Sequence, residues 1–274
     1  MEFLQSIILS TIQGIAEFLP ISSSAHLVLV PYLFGWDYRG LGFDVSLHFG
    51  TAIAVVAYFW RDWWYIIQNA FADEKQQAAN RAANPNYLPS NILWQILIAT
   101  IPAGIIGYLL ANHVESWFHS PILIAITLSI FGLILWQVDL KAENTLKLSE
   151  INWKRSFTVG VAQCLALIPG VSRAGITLVA ARSMGLKRSD AARFSFLLGT
   201  PAMIGAFLVE FKNIRHGAMN FYFFFSVALT AAVGYFAIKY LLKYLSKNDM
   251  KVFAIYRVVL AVVLLAVYLF ALFT

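Results

Sequence analysis

Charged residues are scarce in this chain: Asp, Glu, Lys and Arg make up 12% of its 274 residues, whereas 60% are hydrophobic. A soluble domain carries about 25% charged and about 45–50% apolar residues. Because a soluble core grows only slowly with chain length, so much apolar surface cannot be hidden from water. The composition therefore excludes an ordinary soluble protein and predicts a polytopic membrane protein.

Cysteine is also nearly absent, since Cys164 is the only one. This excludes an intrachain disulfide and a cysteine-rich metal site. The start of the chain lacks the basic region of a signal peptide, so we expect the first apolar segment to belong to the mature protein. The formal net charge of +6 is no argument for nucleic acid, because in a membrane protein the position of positive residues matters more than their number.

Six apolar stretches are long enough to cross a bilayer, which takes roughly 20 residues of helix. They lie at about 43–60, 92–110, 121–138, 194–211, 221–242 and 252–273. The segment 61–90 is more polar, and within it 73–86 is predicted to be a solvated loop or a surface helix. We expect an all-α fold and a single integral membrane domain spanning 1–274.

Two further apolar segments, 3–34 and 156–186, are interrupted by polar or turn-forming residues. Pro20 and the serines at 22–24 break the first, and Pro169 and Gly170 break the second. Exposed backbone is tolerated at membrane depth only where it is buried in protein or lines a wet cavity. Each segment is therefore predicted to be a re-entrant hairpin of two short helices.

The two broken segments resemble each other at an offset of about 150 residues. Nine positions separate Gln13 from Ser22, and nine separate Gln163 from Ser172. An odd number of spans after each hairpin would place the second half upside down relative to the first. The pattern predicts an inverted repeat of about 1–140 and 151–274, with the two hairpins facing each other near the midplane.

Positive residues are distributed unevenly between the two sides of this topology. Thirteen Lys and Arg residues fall on one side, against three on the other: Arg39, Lys212 and Arg215. Positive loops remain cytoplasmic. We therefore expect both termini to face outward, with the first hairpin entering from outside and the second from the cytoplasm.

The first hairpin carries a carboxylate inside an apolar segment. Gln13 and Glu17 are four residues apart and share one helix face. A carboxylate at membrane depth is costly and is a functional hypothesis by default.

The turn of this hairpin holds Ser22, Ser23 and Ser24, just before a helix expected to start near Ala25. Backbone N–H groups at a helix start bind anions, and His26 falls in the first turn. The alternative is that the serines merely cap the helix and His26 is a satisfied polar residue.

In the second hairpin, Gly170 permits the turn and Ser172 is a helix-cap candidate. Arg173 is permanently charged, and its planar fork matches phosphate oxygens. The alternative is a structural pair with Glu17. Thr177 lies four residues beyond Arg173 on the same helix face and is a candidate hydrogen-bond donor, or a small packing residue.

Other embedded polar residues are weaker signals. Asp44 and His48 lie four apart and are candidates for a proton relay, although a solvated helix end also explains Asp44. Arg182 is expected to snorkel, and Arg257 is expected near an interface. Three glycines are expected to serve close helix packing rather than binding: Gly50, Gly199 and Gly205.

Two motifs carry a resemblance to a known family. The first is an E/Q-xxx-E stretch followed by PxSSxxH at 13–26, and the second is PGxSRxxxT at 169–177. Together with the surroundings FDVSLHFGTAIAVVAYF and FSFLLGTPAMIGA, they make the chain similar to the undecaprenyl-diphosphate phosphatases of the bacitracin-resistance type along essentially its whole length.

The resemblance implies removal of the terminal phosphate from a C55 isoprenyl diphosphate at the outer face of the bacterial plasma membrane. This recycles the lipid carrier for peptidoglycan. It also implies six spans plus two re-entrant hairpins in an inverted repeat, and a divalent cation, Mg²⁺ or Ca²⁺, as cofactor. Undecaprenyl diphosphate and membrane lipid are the expected partners; nucleic acid is not, and the oligomeric state is left open.

Carried over by motif, the expected catalytic residues are Glu17, Ser23, His26 and Arg173. The expected phosphate-binding residues are Gln13, Ser22, Ser24, Gly170, Ser172 and Thr177. Glu17 is the expected metal ligand, with Gln13 as a second candidate.

The chain departs from the family pattern at three positions. Gln13 stands where many members carry a second Glu, which weakens a two-carboxylate metal site. Ala25 replaces a frequent Gly, and Ala174 replaces a frequent Ser.

The residues leave the nucleophile open. Ser23 activated by His26 or Glu17, His26 itself, or a water activated by His26 would each serve. A rival function is a lipid-phosphate transporter or flippase, because broken helices that meet at the midplane are also transporter architecture.

Overall fold

The computed structural model describes residues 2–37, 39–83, 87–117, 120–211 and 221–273. Within these ranges the regular elements are helices, with no β-strand. Two 3-10 turns, Leu148–Glu150 and Cys164–Leu167, accompany the α-helices. The prediction of an all-α polytopic membrane protein is confirmed.

The α-helices of the described residues are, in chain order, α1 (Glu2–Ala16), α2 (Ser23–Phe34), α3 (Leu41–Tyr58), α4 (Trp60–Ala70), α5 (Glu74–Ala83), α6 (Ile92–Trp117), α7 (Pro121–Lys141), α8 (Trp153–Gln163), α9 (Arg173–Ser183), α10 (Arg188–Glu210), α11 (Phe221–Leu245) and α12 (Lys251–Phe273).

Five of the six predicted spans coincide with helices long and apolar enough to cross a bilayer: Ile92–Leu110, Pro121–Lys141, Arg188–Val209, Phe221–Leu245 and Lys251–Phe270. The remaining predicted span, 43–60, coincides with α3. This helix qualifies only together with α4, which continues after a bend of 74°. The described residues therefore contain five or six candidate spans, depending on how this bent pair is counted.

The polar segment after α3 folds largely as predicted. Helix α5 occupies most of the stretch 73–86, as expected for a surface helix, and its Glu74 side chain is exposed. Residues 84–86 of that prediction lie outside the described residues.

Both broken segments form two short helices joined by a turn, as predicted. The first is α1 and α2, and the second is α8 and α9 with a 3-10 turn between them. Helix α2 begins at Ser23, slightly before the start expected near Ala25.

The two turns share an unusual backbone conformation. Ser22 and Ser172, the residues just before α2 and α9, have φ angles of 71° and 73° and are the only non-glycine residues with positive φ in the described chain. Such residues cost roughly 1–3 kcal/mol each and cluster at functional sites. This likeness agrees with the sequence repeat, although the inverted order of the halves stays a prediction.

Helix α1 runs parallel to α11 and packs against it. The ring of Phe3 lies 5.2 Å from that of Phe225 near the start of both helices. Further along, a Cβ on Gly14 would lie 2.9 Å from the side chain of Val233. The first hairpin therefore turns back beside the middle of α11, which continues beyond it to Leu245.

Arg182 does not snorkel, and that expectation is wrong. Its side chain is buried, and its Nε donates to Asp139 at 3.0 Å. Its remaining donors bond to carbonyl oxygens, including that of Glu143 at 3.0 Å, and to the side chain of Asn144. A charged side chain can remain buried when each of its donors finds an acceptor, so Arg182 ties α9 to the end of α7.

Candidate functional site

Glu17 is the centre of a buried polar cluster at the end of α1. Its Oε2 accepts from the Ser23 hydroxyl at 2.7 Å and from Nε2 of Gln13 at 3.1 Å. Its Oε1 accepts from Nη2 of Arg173 at 2.9 Å. The shared helix face of Gln13 and Glu17 is thus confirmed, and both hairpins contribute to one carboxylate.

His48, on α3, completes this cluster. Its Nε2 lies 3.3 Å from Oε2 of Glu17, and its Nδ1 lies 2.8 Å from the carbonyl oxygen of Asp44. A carbonyl oxygen only accepts hydrogen bonds, and so does an ionised carboxylate. Both ring nitrogens therefore face acceptors, and the His48–Glu17 pair holds one proton more than a neutral imidazole beside a carboxylate would.

The guanidinium of Arg173, the first residue of α9, is anchored to α10 by one terminal nitrogen and contacts Glu17 through the other. Its Nη1 donates to the carbonyl oxygen of Ser195 on α10 at 3.0 Å, while Nη2 reaches Glu17. Gly199, one helical turn beyond Ser195, leaves the space that the guanidinium fills, because a Cβ there would overlap it. The interpretation of Gly199 as a packing residue therefore needs refinement: it makes room for a charged group.

His26 does not face Ser23 or Glu17. Its Nδ1 lies 2.7 Å from the carbonyl oxygen of Ser22, and its Nε2 lies 2.7 Å from the hydroxyl of Tyr256 on α12. Since the carbonyl only accepts, these partners assign the proton of a neutral ring to Nδ1 and make Nε2 the acceptor from Tyr256. Among the alternatives for activating Ser23, the geometry favours Glu17.

Arg257, which was expected near an interface, is completely buried within the protein. Its guanidinium donates to the carbonyl oxygen of Pro20 in the first turn at 3.2 Å. It also donates to those of Gly170 and Val171 in the second turn, at 2.8 and 3.1 Å, and to that of Leu128 on α7. One buried cation therefore holds both hairpin turns together against α7.

Ser22 and Ser24, the remaining predicted residues of the first turn, flank Ser23 of the Glu17 cluster. The hydroxyls of Ser22 and Ser24 are 3.1 Å apart, and Ser22 makes no side-chain cap. The first N–H groups of a helix have no partner within it. The start of α2 therefore offers backbone donors beside the Ser23 hydroxyl.

In the second turn, Ser172 caps α9 as predicted, because its hydroxyl accepts from the backbone N–H of Gly175 at 3.1 Å. Gly170 has a φ of 86° and packs against Thr127, whose hydroxyl donates to the carbonyl oxygen of Pro169 at 2.6 Å. A side chain at position 170 would collide with Thr127, so glycine is needed there for both conformation and space.

Thr177 lies behind Arg173 and is fully buried. Its hydroxyl lies 2.6 Å from that of Ser195 and 2.8 Å from the carbonyl oxygen of Arg173. Its hydrogen bonds are thus made within the protein, where they join α9 to the part of α10 that anchors Arg173.

The charge of the cluster suits an anion. Arg173 and the additional proton on the His48–Glu17 pair outweigh the single carboxylate, so these three groups carry a net charge of about +1. Two helix N-termini, of α2 and α9, add positive partial charge at the same turns. A phosphate group is the ligand that such an arrangement stabilises.

Glu17 and Gln13 do not by themselves fit a protein-held divalent cation. Both oxygens of Glu17 already accept from donors, two of which belong to Arg173 and His48. Oε1 of Gln13 is buried without a hydrogen-bond partner, but a single amide oxygen is a weak ligand set. No group of three or more His, Cys, Asp or Glu side chains gathers within the described part of the chain. Mg²⁺ is usually bound through one or two carboxylates together with substrate phosphates.

The sequence predicted the hairpin residues of the site. It indicated a role for three further residues around them only weakly or not at all. His48 was expected to relay protons with Asp44 rather than to contact Glu17. Tyr256 carried no signal, since a tyrosine near a helix end is ordinary in a membrane protein. Arg257 did carry a sequence signal, because an arginine within an apolar span is costly and therefore informative.

The whole chain is similar to known proteins. A model of the family described as "Bacitracin resistance protein BacA" matches residues 6–263. A protein of Pelotomaculum thermopropionicum named undecaprenyl-diphosphatase is 44% identical over 268 residues, 97% of each chain. Proteins of the same name from Moorella thermoacetica and Caldicellulosiruptor bescii are 42% and 44% identical, over 98% and 97% of each chain.

These matches cover both hairpins and all the helices that surround them. They agree with the family resemblance carried by the two motifs, and they were obtained over nearly full length rather than over the motifs alone. The chain belongs to the bacitracin resistance protein BacA family.

Proposed function

We propose that this protein is an undecaprenyl-diphosphatase, which removes the terminal phosphate of undecaprenyl diphosphate and returns undecaprenyl phosphate. The observation that carries the proposal is the hydrogen bond from Ser23 to Glu17 beside the guanidinium of Arg173. A hydroxyl next to a base and a phosphate-binding cation is the arrangement that nucleophilic phosphoryl transfer needs.

Substrate binding begins with an exchange of partners at Arg173. The terminal phosphate takes over the Nη2 donor that Glu17 holds in the free protein, while the contact of Nη1 with Ser195 keeps the guanidinium in place. Backbone N–H groups at the start of α2 bind further phosphate oxygens. Freed from Arg173, the carboxylate of Glu17 becomes a better base.

In the first step, Oγ of Ser23 attacks the terminal phosphorus, and its proton passes to Oε2 of Glu17 at 2.7 Å. The bond between this phosphorus and the bridging oxygen breaks, and undecaprenyl phosphate leaves with that oxygen. Arg173 stabilises the charge that develops on the transferring group. The product of this step is a phosphoserine at position 23.

In the second step, water hydrolyses the phosphoserine: the water oxygen bonds to phosphorus, the bond from phosphorus to Oγ of Ser23 breaks, and Oγ takes back the proton that Glu17 received. His26 is the base for this water through Nε2, the acceptor nitrogen that Tyr256 occupies in the free protein. Its Nδ1–H simultaneously holds the carbonyl oxygen of Ser22, the residue with the strained backbone. Nε2 of His26 thus acts as the base, whereas its Nδ1–H stabilises the turn.

The divalent cation, Mg²⁺ or Ca²⁺, belongs with the substrate in this proposal, because diphosphate oxygens are better ligands for it than the engaged carboxylate of Glu17. The charge bias of thirteen to three supports a plasma-membrane protein with both termini outward and the site open to the outer face. The matching φ angles of Ser22 and Ser172 support the inverted repeat.

The deciding experiment measures phosphate release from C55 isoprenyl diphosphate by the purified protein, with Mg²⁺ and with chelator. Wild type is compared with Arg173→Ala and Glu17→Ala, and with Glu74→Ala as a control that removes an exposed carboxylate on α5. We expect metal-dependent release by wild type and by the Glu74 variant, and none by the other two.

No release by folded wild-type protein would overturn the proposal and favour the lipid-phosphate transporter. In that case the substrate would still bind, and Ser23 would be dispensable. The geometry favours the enzyme, because a transporter has no need for a hydroxyl held 2.7 Å from a buried carboxylate.

A further inference from the structure

A large apolar groove borders the first hairpin and is not lined by Ser23 or Glu17. Its volume is about 850 Å³. Ile15 and Leu19 of the hairpin line one end, and Lys247 and Asn248, in the connection between α11 and α12, line the other. The groove exists because the hairpin turns back while α11, which runs parallel to it, continues.

The length of the groove matches one leaflet of a bilayer. Its wall on α11 extends from Val233 to Tyr244. Eleven residues of helix span about 17 Å, and half of the hydrocarbon core is about 15 Å. A hydrocarbon chain from that leaflet would therefore fill the groove along its length.

Between its two ends the groove has mostly apolar walls, which suit a hydrocarbon chain. Phe236, Leu241, Val252 and Phe253 line the groove between its two ends, and Phe236 and Val252 are about half exposed. A lipid-facing groove of this kind is filled by the surrounding solvent, which in a bilayer is an acyl chain.

The far end of the groove is positively charged. Lys243 and Lys247 both line it, and neither has an ion pair within the described ranges. Lys251 lies close by in sequence, and the one neighbouring acid, Asp249, accepts from the backbone N–H of Lys251. Three lysines against one aspartate leave a net charge of +2 around the connection between α11 and α12, where an apolar span ends.

We infer that this groove binds an anionic glycerophospholipid, with an acyl chain beside the hairpin and the phosphate on Lys243 and Lys247. A C55 prenyl chain would extend well past a groove only one leaflet deep, which argues against the substrate itself. The bound chain would contact Leu19, two residues from Glu17, and so would support the hairpin. This inference does not depend on the proposed function.

The test is native mass spectrometry of the purified full-length protein, titrated with phosphatidylglycerol or with zwitterionic phosphatidylcholine. The charge variant is Lys243→Gln/Lys247→Gln, and the matched control is Lys239→Gln, an exposed lysine of α11 that does not line the groove. A second variant, Ala237→Trp, fills the groove, and its folding is checked by a thermal melt.

Wild type and the Lys239 variant are expected to prefer phosphatidylglycerol. The double lysine variant should bind it about 30-fold more weakly, at about fivefold per lysine, and Ala237→Trp should bind both lipids less. Equal phosphatidylglycerol binding by the charge variant and its control would overturn the inference. Displacement of phosphatidylglycerol by equimolar undecaprenyl phosphate would also overturn it, by making a prenyl phosphate the occupant.

Discussion

The guanidinium of Arg173 fills the space that a side chain at position 199 would occupy. A Cβ built on Gly199 would overlap Cζ and Nη1 of Arg173, although 26 residues separate the two positions. The same guanidinium reaches Glu17 in the first hairpin. Because Gly199 has no side chain, Arg173 can contact Glu17, and the candidate active site depends on this contact.

Gly199→Ala is expected to lower kcat/KM for undecaprenyl diphosphate by about 100-fold, because a displacement of about 1 Å of a positioning group costs that much. The matched control is Gly205→Ala on the same helix, where a Cβ would meet nothing within 4 Å. Gly205→Ala should retain the wild-type Tm, since alanine favours helix more than glycine, whereas Gly199→Ala should lower it because the guanidinium of Arg173 has to leave its place against α10. Equal activity of the two alanine variants would contradict the role assigned to Gly199.

Glu17→Gln is expected to lower kcat by about 10²–10⁴-fold, the range for loss of a general base. The amide keeps the shape of the side chain but cannot take the proton of Ser23. Because the first step fails, the variant should form no phosphoenzyme when given substrate labelled in its terminal phosphate. A labelled phosphoserine in this variant would show that another group activates Ser23.

His26→Asn and His26→Gln separate the two functions of this residue. The amide nitrogen of Asn lies near the position of Nδ1 and can donate to the carbonyl oxygen of Ser22, whereas that of Gln lies nearer to Nε2. We expect both variants to lose about 10²–10⁴-fold in kcat, but only the Gln variant to lose stability, by about 1 kcal/mol.

The second measurement on His26→Asn is the amount of phosphoenzyme that it forms. With Ser23 and Glu17 intact, the first step should proceed and the labelled phosphoserine should accumulate after one burst of undecaprenyl phosphate. An active Asn variant would show that His26 serves the turn alone.

Arg257→Lys is expected to destabilise the protein by about 3 kcal/mol or more, even though the charge is retained. A lysine cannot reach four carbonyl oxygens with one compact head group, and each carbonyl left without a partner costs about 1–3 kcal/mol. The measurement is the thermal melt in detergent, with Lys239→Gln as a control on an exposed cation. A wild-type Tm for Arg257→Lys would mean that the two turns are held together by other contacts.

Several features of this protein followed from local properties of the sequence. The apolar composition determined the membrane class, since no soluble core could bury it. Proline, glycine and serine determined where the two hairpins turn, because they interrupt a helix regardless of what surrounds it. The four-residue spacing of Gln13 and Glu17 determined their common face, and Ser172 next to a helix start determined its cap.

The tertiary structure decided which of the embedded polar residues meet. His48 joins Glu17 from α3, and Arg173 reaches it across 156 positions of sequence. Gly199 and Gly205 look alike in the sequence, yet only the first has a guanidinium against it. The physical reason is that a periodic pattern shows which face of a helix is apolar, whereas the partner of a polar group depends on which helices pack together and at what height.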